Sequence, residues 1–307
     1  MNEIILHHYP QSPVSEKIRV VLGIKALNWR SVEIPRLPPK PDLMPLTGGY
    51  RLTPVMQIGA DIYCDSQRII RELERRHPEP TLFPGRAEGM AWGIGRWTDG
   101  PLFQTVIAVV FGQAGDNLPP EFFADRIPLY FGEGTTMADL AEILGHNRDQ
   151  IRAQFGWMNE RLGGNRDFML GDQVGLPDAL CYYLVWFLRG RDPLGPGMLE
   201  EFPHLIAWEE RMQAFGHGKP TPMDSKEALA VAKQATPTVT EFIDPDDPRG
   251  LKPGDAVEVV PDATGGDGVN GTLIASNAQE IAIGRTDGHV GQVAVHFPRA
   301  GYRVVRT

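Results

Sequence analysis

A chain of 307 residues can hold two or three domains, and its formal charge of -9 excludes nucleic acid and anionic membrane surfaces as main partners. The two cysteines, Cys64 and Cys181, are too few for a disulfide framework and are not spaced as metal ligands, so no metal is expected. No run of about eighteen apolar residues exists and no leader-like segment opens the chain, which predicts a soluble protein of the cytoplasm without membrane contact.

Ile4-Ile5-Leu6 is an unbroken aliphatic run and predicts a buried strand. Val14, Ile18, Val21 and Leu22 then recur three to four residues apart, with Glu16, Lys17 and Arg19 between them, which predicts an amphipathic helix. Ser12 has the chemistry of an N-cap, and Pro13 suits the first helical position, where no backbone N–H is needed. A hydroxyl thus stands beside unpaired N–H groups and the positive end of a helix dipole, where a thiolate is stabilised. Taken alone, Ser12 is also an ordinary helix cap.

Residues 28 to 34 alternate polar and apolar and predict a second strand, so the opening reads as a parallel βαβ unit. After a proline-rich loop, Val55 to Ile58 and Asp61 to Cys64 predict a hairpin across Gly59-Ala60. Pro54 opens its first strand, a position that tolerates proline. Asp65-Ser66 starts a helix with Ile69, Ile70 and Leu73 on one face and Arg68, Arg71, Glu72 and Arg75 outside.

Pro78 to Gly85 reads as a domain boundary. From Glu88 to about Phe215 the pattern is helical, with Trp92, Gly95, Arg96, Asp99, Leu102 and Phe103 along one expected helix. Gly175 stands at the start of the apolar helix Ala179 to Leu188, with Asp178 at its third position in a structural, capping role. Past Pro222 the composition changes, and residues 221–240 read as a linker or helix. Residues 241–307 hold ten of the 34 glycines and five short alternating runs, which predicts a separate, small β-barrel or sandwich. That tail has ten acidic and six basic residues, a poor composition for a nucleic-acid module.

The βαβ-ββα order, Ser12-Pro13-Val14-Ser15, Thr53-Pro54-Val55 and Asp65-Ser66 together resemble the N-terminal domain of cytosolic glutathione transferases over residues 3 to 84. The fold this implies is thioredoxin-like over 1–84 and all-helical over 85–220. The β module over 241–307 is an addition that typical members lack.

The resemblance implies an enzyme that binds glutathione as co-substrate and transfers its thiolate to small hydrophobic electrophiles, acting as a homodimer. Ser12 would hydrogen-bond the sulfur, with Ser15 as rival and Tyr9 third. Val55, following a cis Thr53-Pro54 bond, would pair its main chain with the cysteinyl unit. Asp65 and Ser66 would hold the γ-glutamyl end, and Lys40 or Arg51 the glycyl carboxylate. The chain has Gly-Gly-Tyr-Arg-Leu-Thr-Pro where much of the family has Gly-Lys before Val-Pro, which leaves the glycyl contact open. The alternative is a non-catalytic glutathione-fold protein whose β tail recruits a partner. His7-His8 is not read as a metal pair, since neighbouring strand residues point to opposite faces. Trp92, Trp97, Phe103, Phe111, Tyr130 and Phe131 read first as helical core and second as the lining of an electrophile pocket. Cys64 reads as buried and unreactive.

Overall fold

The computed structural model describes residues 3–115, 118–262 and 266–307. The chain forms two compact units, one of Met1–Ile18, Leu27–Arg75 and Lys219–Thr307, the other of Arg19–Ala26 and Arg76–Gly218.

The first unit opens with β1 (Ile5–His8), α1 (Pro13–Ile24), β2 (Asn28–Glu33), the short α2 (Met44–Thr47), β3 (Val55–Ile58), β4 (Asp61–Cys64) and α3 (Ser66–Arg76). β1 runs parallel to β2 and antiparallel to β3, and β3 runs antiparallel to β4. The expected βαβ-ββα order is therefore present. Ile18, Val21 and Leu22 are buried, as their spacing requires, but so are Glu16, Lys17 and Arg19 between them. α3 departs from expectation in the same way: Arg68 and Glu72 are buried, not outside.

The second unit is helical: α4 (Glu88–Thr98), α5 (Pro101–Ala114), α6 (Pro120–Phe131), α7 (Met137–Glu142), α8 (Leu144–Leu162), α9 (Leu176–Arg191), α10 (Gly195–Leu199) and α11 (Pro203–Ala214). The single helix expected through Trp92 and Phe103 is two, because Gly100 breaks it and Pro101 starts the next. Asp178 at the start of α9 is fully buried; it accepts from the Met169 and Gly175 N–H groups at 2.8 and 2.9 Å and from Trp208 Nε1 at 2.8 Å. Gly175 has no side chain to return the capping bond, and its carbonyl accepts from Asp178 N at 3.1 Å instead. Burial pushes the Asp178 carboxyl up to about 6, against the pull of the three donors.

The chain then rejoins the first unit. β5 (Lys219–Pro222) lies parallel to β2, where a proline-rich linker was expected. Lys219 N donates to Leu27 O at 2.8 Å and Met223 N to Ser31 O at 2.9 Å, so Pro220 and Pro222 fall at positions that owe the ladder no N–H. α12 (Ser225–Gln234) follows, capped by Asp224, with Ala228 and Ala232 buried.

The tail carries β6 (Phe242–Ile243), β7 (Ala256–Pro261), β8 (Val269–Ser276), β9 (Glu280–Asp287), β10 (Gly291–Pro298) and β11 (Tyr302–Arg306). The five expected runs are strands, but the expectation of a separate module does not hold. β10 pairs in parallel with β4, which places all the tail strands in one eleven-stranded sheet of order β11-β7-β8-β9-β10-β4-β3-β1-β2-β5, with β6 on β8. One apolar core runs from Ile5, Val32 and Ile62 to Val257, Phe297 and Val304. An edge at β4 would leave a row of unpaired N–H and C=O groups, and β10 covers it.

Candidate functional site

Topology gathers the site. β1, β2 and β4 end at the same edge of the sheet, and β3, antiparallel to β1, begins there. Tyr9 and Ser12 follow β1, Lys40 follows β2, Thr53-Pro54 precede β3, and Asp65-Ser66 follow β4. The strand ends of an open α/β sheet are where ligands usually bind.

Ser12 caps α1 as its sequence predicts: its Oγ accepts from Ser15 N at 3.1 Å and its carbonyl from Glu16 N at 3.0 Å. Ser12 is 2% exposed and Ser15 is fully buried. Among the described residues the Ser15 hydroxyl has no hydrogen-bond partner, an enclosed polar atom that calls for a cause. Lys40, also buried, donates to Arg51 O at 2.8 Å and to Thr53 Oγ1 at 3.0 Å, and its ammonium lies 5.9 Å from the Tyr9 ring centre. Lys40, Arg51 and Thr53 thus belong to one tied loop.

The Thr53-Pro54 bond is cis. Val55 is placed against its expected role: it is paired with His7 of β1 on one side and Cys64 of β4 on the other, inside the sheet. Its main chain is no outward edge, whereas Thr53 stands outside both ladders. Asp65 takes φ 72, a left-handed conformation that Asp adopts more readily than most residues. Its Oδ1 accepts from Gln67 N at 2.8 Å, tying the carboxylate to the first turn of α3, and Ser66 is buried beside it.

Two residues at this end escaped the sequence reading. β10 parallels β4, so its carboxyl end and the start of β11 arrive at the same edge, and the Tyr302 hydroxyl donates to Asp65 Oδ2 at 3.1 Å. Tyr302 and Tyr50 both pack against Phe297 beside this carboxylate. The only local signal was Tyr302 at the head of the last expected strand. The tail also touches α2, where Arg285 donates to Pro45 O at 3.5 Å and passes Gly48 where a side chain would stand.

The bland readings are placed as follows. His7 bonds Gln57 at 2.9 Å and His8 bonds Ser31 at 2.8 Å, on different neighbouring strands. Burial lowers His7 to about 4, against the Gln57 bond, so it stays neutral. Cys64 is buried, and burial with the Asp65 charge pushes its thiol well up, away from reactivity. In the second unit Phe103 is buried between Tyr130 and Tyr183, and Phe111 packs among Phe122, Tyr130 and Phe131.

Comparison with known families matches residues 6–81 to the glutathione S-transferase N-terminal domain and residues 137–211 to the glutathione S-transferase C-terminal domain. A GST-like protein from Pseudomonas syringae is 34% identical, with the match covering 100% of both chains at a TM-score of 0.81. A glutathione S-transferase from Rhodospirillum rubrum is 17% identical over 69% of this chain and 88% of its own, at TM-score 0.53. One from Ceriporiopsis subvermispora, solved in complex with glutathione, is 19% identical over 70% of this chain and 96% of its own, at 0.56. These last two share the fold. No curated protein matches the chain.

Proposed function

Because the chain belongs to the glutathione S-transferase family, we propose that it binds glutathione at the strand ends of the first unit and transfers its thiolate to small hydrophobic electrophiles. The observation that carries this reading is the cap geometry of Ser12. Its oxygen already accepts the Ser15 N–H, so the hydroxyl proton is the part left to give. A donor at a helix N-terminus lowers the pKa of a thiol placed before it. The glutathione thiol releases its proton to water, and the sulfur lone pair then forms the carbon–sulfur bond. As it does so, the electrophile's leaving group departs with its bonding pair or, at an activated double bond, the π pair shifts away and takes a proton from water. Ser15, enclosed without a partner, is the rival donor.

The remaining residues fit the tripeptide by charge and edge. Thr53, ahead of the cis bond and outside the ladders, supplies the main-chain edge for the cysteinyl unit in place of Val55, an added short strand. Pro54 turns that edge outward. Asp65 receives the γ-glutamyl ammonium, and Ser66, at the start of α3, faces its carboxylate. Lys40 and Arg51 supply positive charge for the glycyl carboxylate.

A glutathione-affinity column followed by a conjugation assay tests the reading. Retention with turnover supports it. Retention without turnover returns the protein to the binding or scaffold class, and no retention sinks both. The family also favours a homodimer.

A further inference from the structure

We propose that Tyr302, supplied by the last strand of the tail, is a positioning residue of the glutathione site: its hydroxyl sets the Asp65 carboxylate to receive the γ-glutamyl ammonium. This deepens the glutathione reading above and rests on it.

Hydrogen-bond bookkeeping orders the contacts. An ionised carboxylate only accepts, so the Tyr302 hydroxyl donates to Asp65 Oδ2, at 3.1 Å. Asp65 itself is held at a φ of 72. The opposite oxygen, Oδ1, is fixed by Gln67 N. The carboxylate plane is therefore set from two sides.

The surroundings keep this contact intact. Tyr50 and Tyr302 are 6% and 7% exposed, and Phe297 packs against both rings at 6.0 and 5.5 Å between centroids. Burial, then neighbouring negative charge, pushes the Tyr302 hydroxyl well above its ordinary range, so it keeps the proton it donates. Asp65 itself is only partly buried, which leaves it open to a ligand. A preset acceptor binds a cation without first being ordered.

The alternative is that Tyr302 only fills the core beside Phe297. The experiment separates the two with two tripeptides: glutathione, and glutaryl-cysteinylglycine, which lacks the γ-glutamyl amino group. Wild type, Tyr302→Phe and Asp65→Asn are compared by KM and kcat, or by Kd where turnover is absent, with thermal unfolding to confirm the fold. Tyr302→Phe is expected to raise the KM for glutathione about tenfold, with kcat and the KM for the deaminated tripeptide changed less than about twofold. Equal weakening toward both tripeptides, or a fall in kcat alone, overturns the inference. So does a Tyr302→Phe enzyme that matches wild type while Asp65→Asn is impaired, and in that case the site reading stands. Wild type without glutathione affinity, or Asp65→Asn without effect on it, overturns the site reading and the inference together. Should Tyr302→Phe fail to fold, Tyr302→Met keeps bulk against Phe297 without the hydroxyl and is read by the same ratio of the two tripeptides.

Discussion

The imidazole Nε2 of His296, in β10, lies 3.1 Å from the Asp61 carboxylate, in β4, with both side chains buried. His296 Nδ1 meets Glu280 at 3.1 Å, Glu280 meets Arg68 at 3.0 Å, and Arg68 meets Glu72 at 3.0 Å. Glu72 also takes the Tyr63 hydroxyl at 3.1 Å and Arg75 at 2.6 Å, while Thr238 bonds the second Asp61 oxygen at 2.7 Å. The imidazole stacks on Tyr63 at 4.6 Å. This network explains why α3 buries residues that its amphipathic pattern puts outside: the tail brings Glu280 to Arg68, and Glu72 is held by Arg68, Arg75 and the Tyr63 hydroxyl of β4.

Its pH dependence follows. Burial opposes the imidazolium, but the bonds to Asp61 and Glu280 prevail and raise His296 above its ordinary 6.5. Burial likewise opposes the two carboxylates, yet His296 with Thr238 and with Arg68 holds Asp61 and Glu280 below their ordinary 3.8 and 4.5. The His296 contribution is complete below about pH 6.5 and fades as pH rises through its folded pKa; the carboxylate contribution is complete above about pH 4.5 and fades as pH falls. The gap in unfolding temperature between wild type and His296→Gln is therefore expected to be widest between these limits and to shrink above them. A gap that widens steadily from pH 6 to 9 refutes this. His296→Ala, which takes the imidazole from the buried Asp61 and the half-buried Glu280, is expected to cost about 3–5 kcal/mol in denaturant unfolding.

Ser12→Ala is expected to lower turnover more than glutathione affinity, since main-chain and γ-glutamyl contacts hold the tripeptide. A donor removed from a resident anion costs roughly 2.7–4 kcal/mol in well-built sites, and less here because the α1 dipole remains. The lost cap adds about 1 kcal/mol of destabilisation. Thiolate absorbance of bound glutathione reads the first effect and denaturant unfolding the second. Full activity in Ser12→Ala with loss in Ser15→Ala moves the role to Ser15.

Asp178→Asn is expected to destabilise the protein by about 1–3 kcal/mol, because an amide turns one N–H toward the Met169, Gly175 or Trp208 donors. Urea unfolding checks it. A variant as stable as wild type, at neutral pH, contradicts the capping role.

Truncation before Glu241 is expected to yield an insoluble or unfolded chain. It strips β4 of its neighbour, opens the shared core and leaves Asp61 without His296. A soluble truncated protein with a cooperative unfolding transition would contradict the shared core.

Light scattering at micromolar concentration is expected to give about twice the 34.0 kDa of the chain. Phe103 is buried within its own protomer and adds nothing to a contact surface. Trp92 and Trp97 on α4 stay half-exposed, and Trp157, 58% exposed, lies 5.9 Å from Trp97. A mass near one chain refutes the dimer.

Local rules were enough for the βαβ-ββα order, for the cap at Ser12-Pro13 and for Asp178, while the cis bond at Thr53-Pro54 was implied only by the family resemblance. Each depends on residues within a turn or two of one another, so periodicity and capping chemistry carry them. The tail strands were legible for the same reason, but not their place in the sheet. Pairing of β10 with β4 joins residues 233 positions apart, as at Asp61 and Ala294, and no local pattern encodes a partner so distant. The burial of Arg68 and Glu72, the enclosure of Val55 between two strands and the approach of Tyr302 to Asp65 all follow from that pairing or from the sheet around it. The tertiary structure decided them because a buried charge and a strand edge are satisfied by whatever the fold brings beside them, and sequence spacing does not record that.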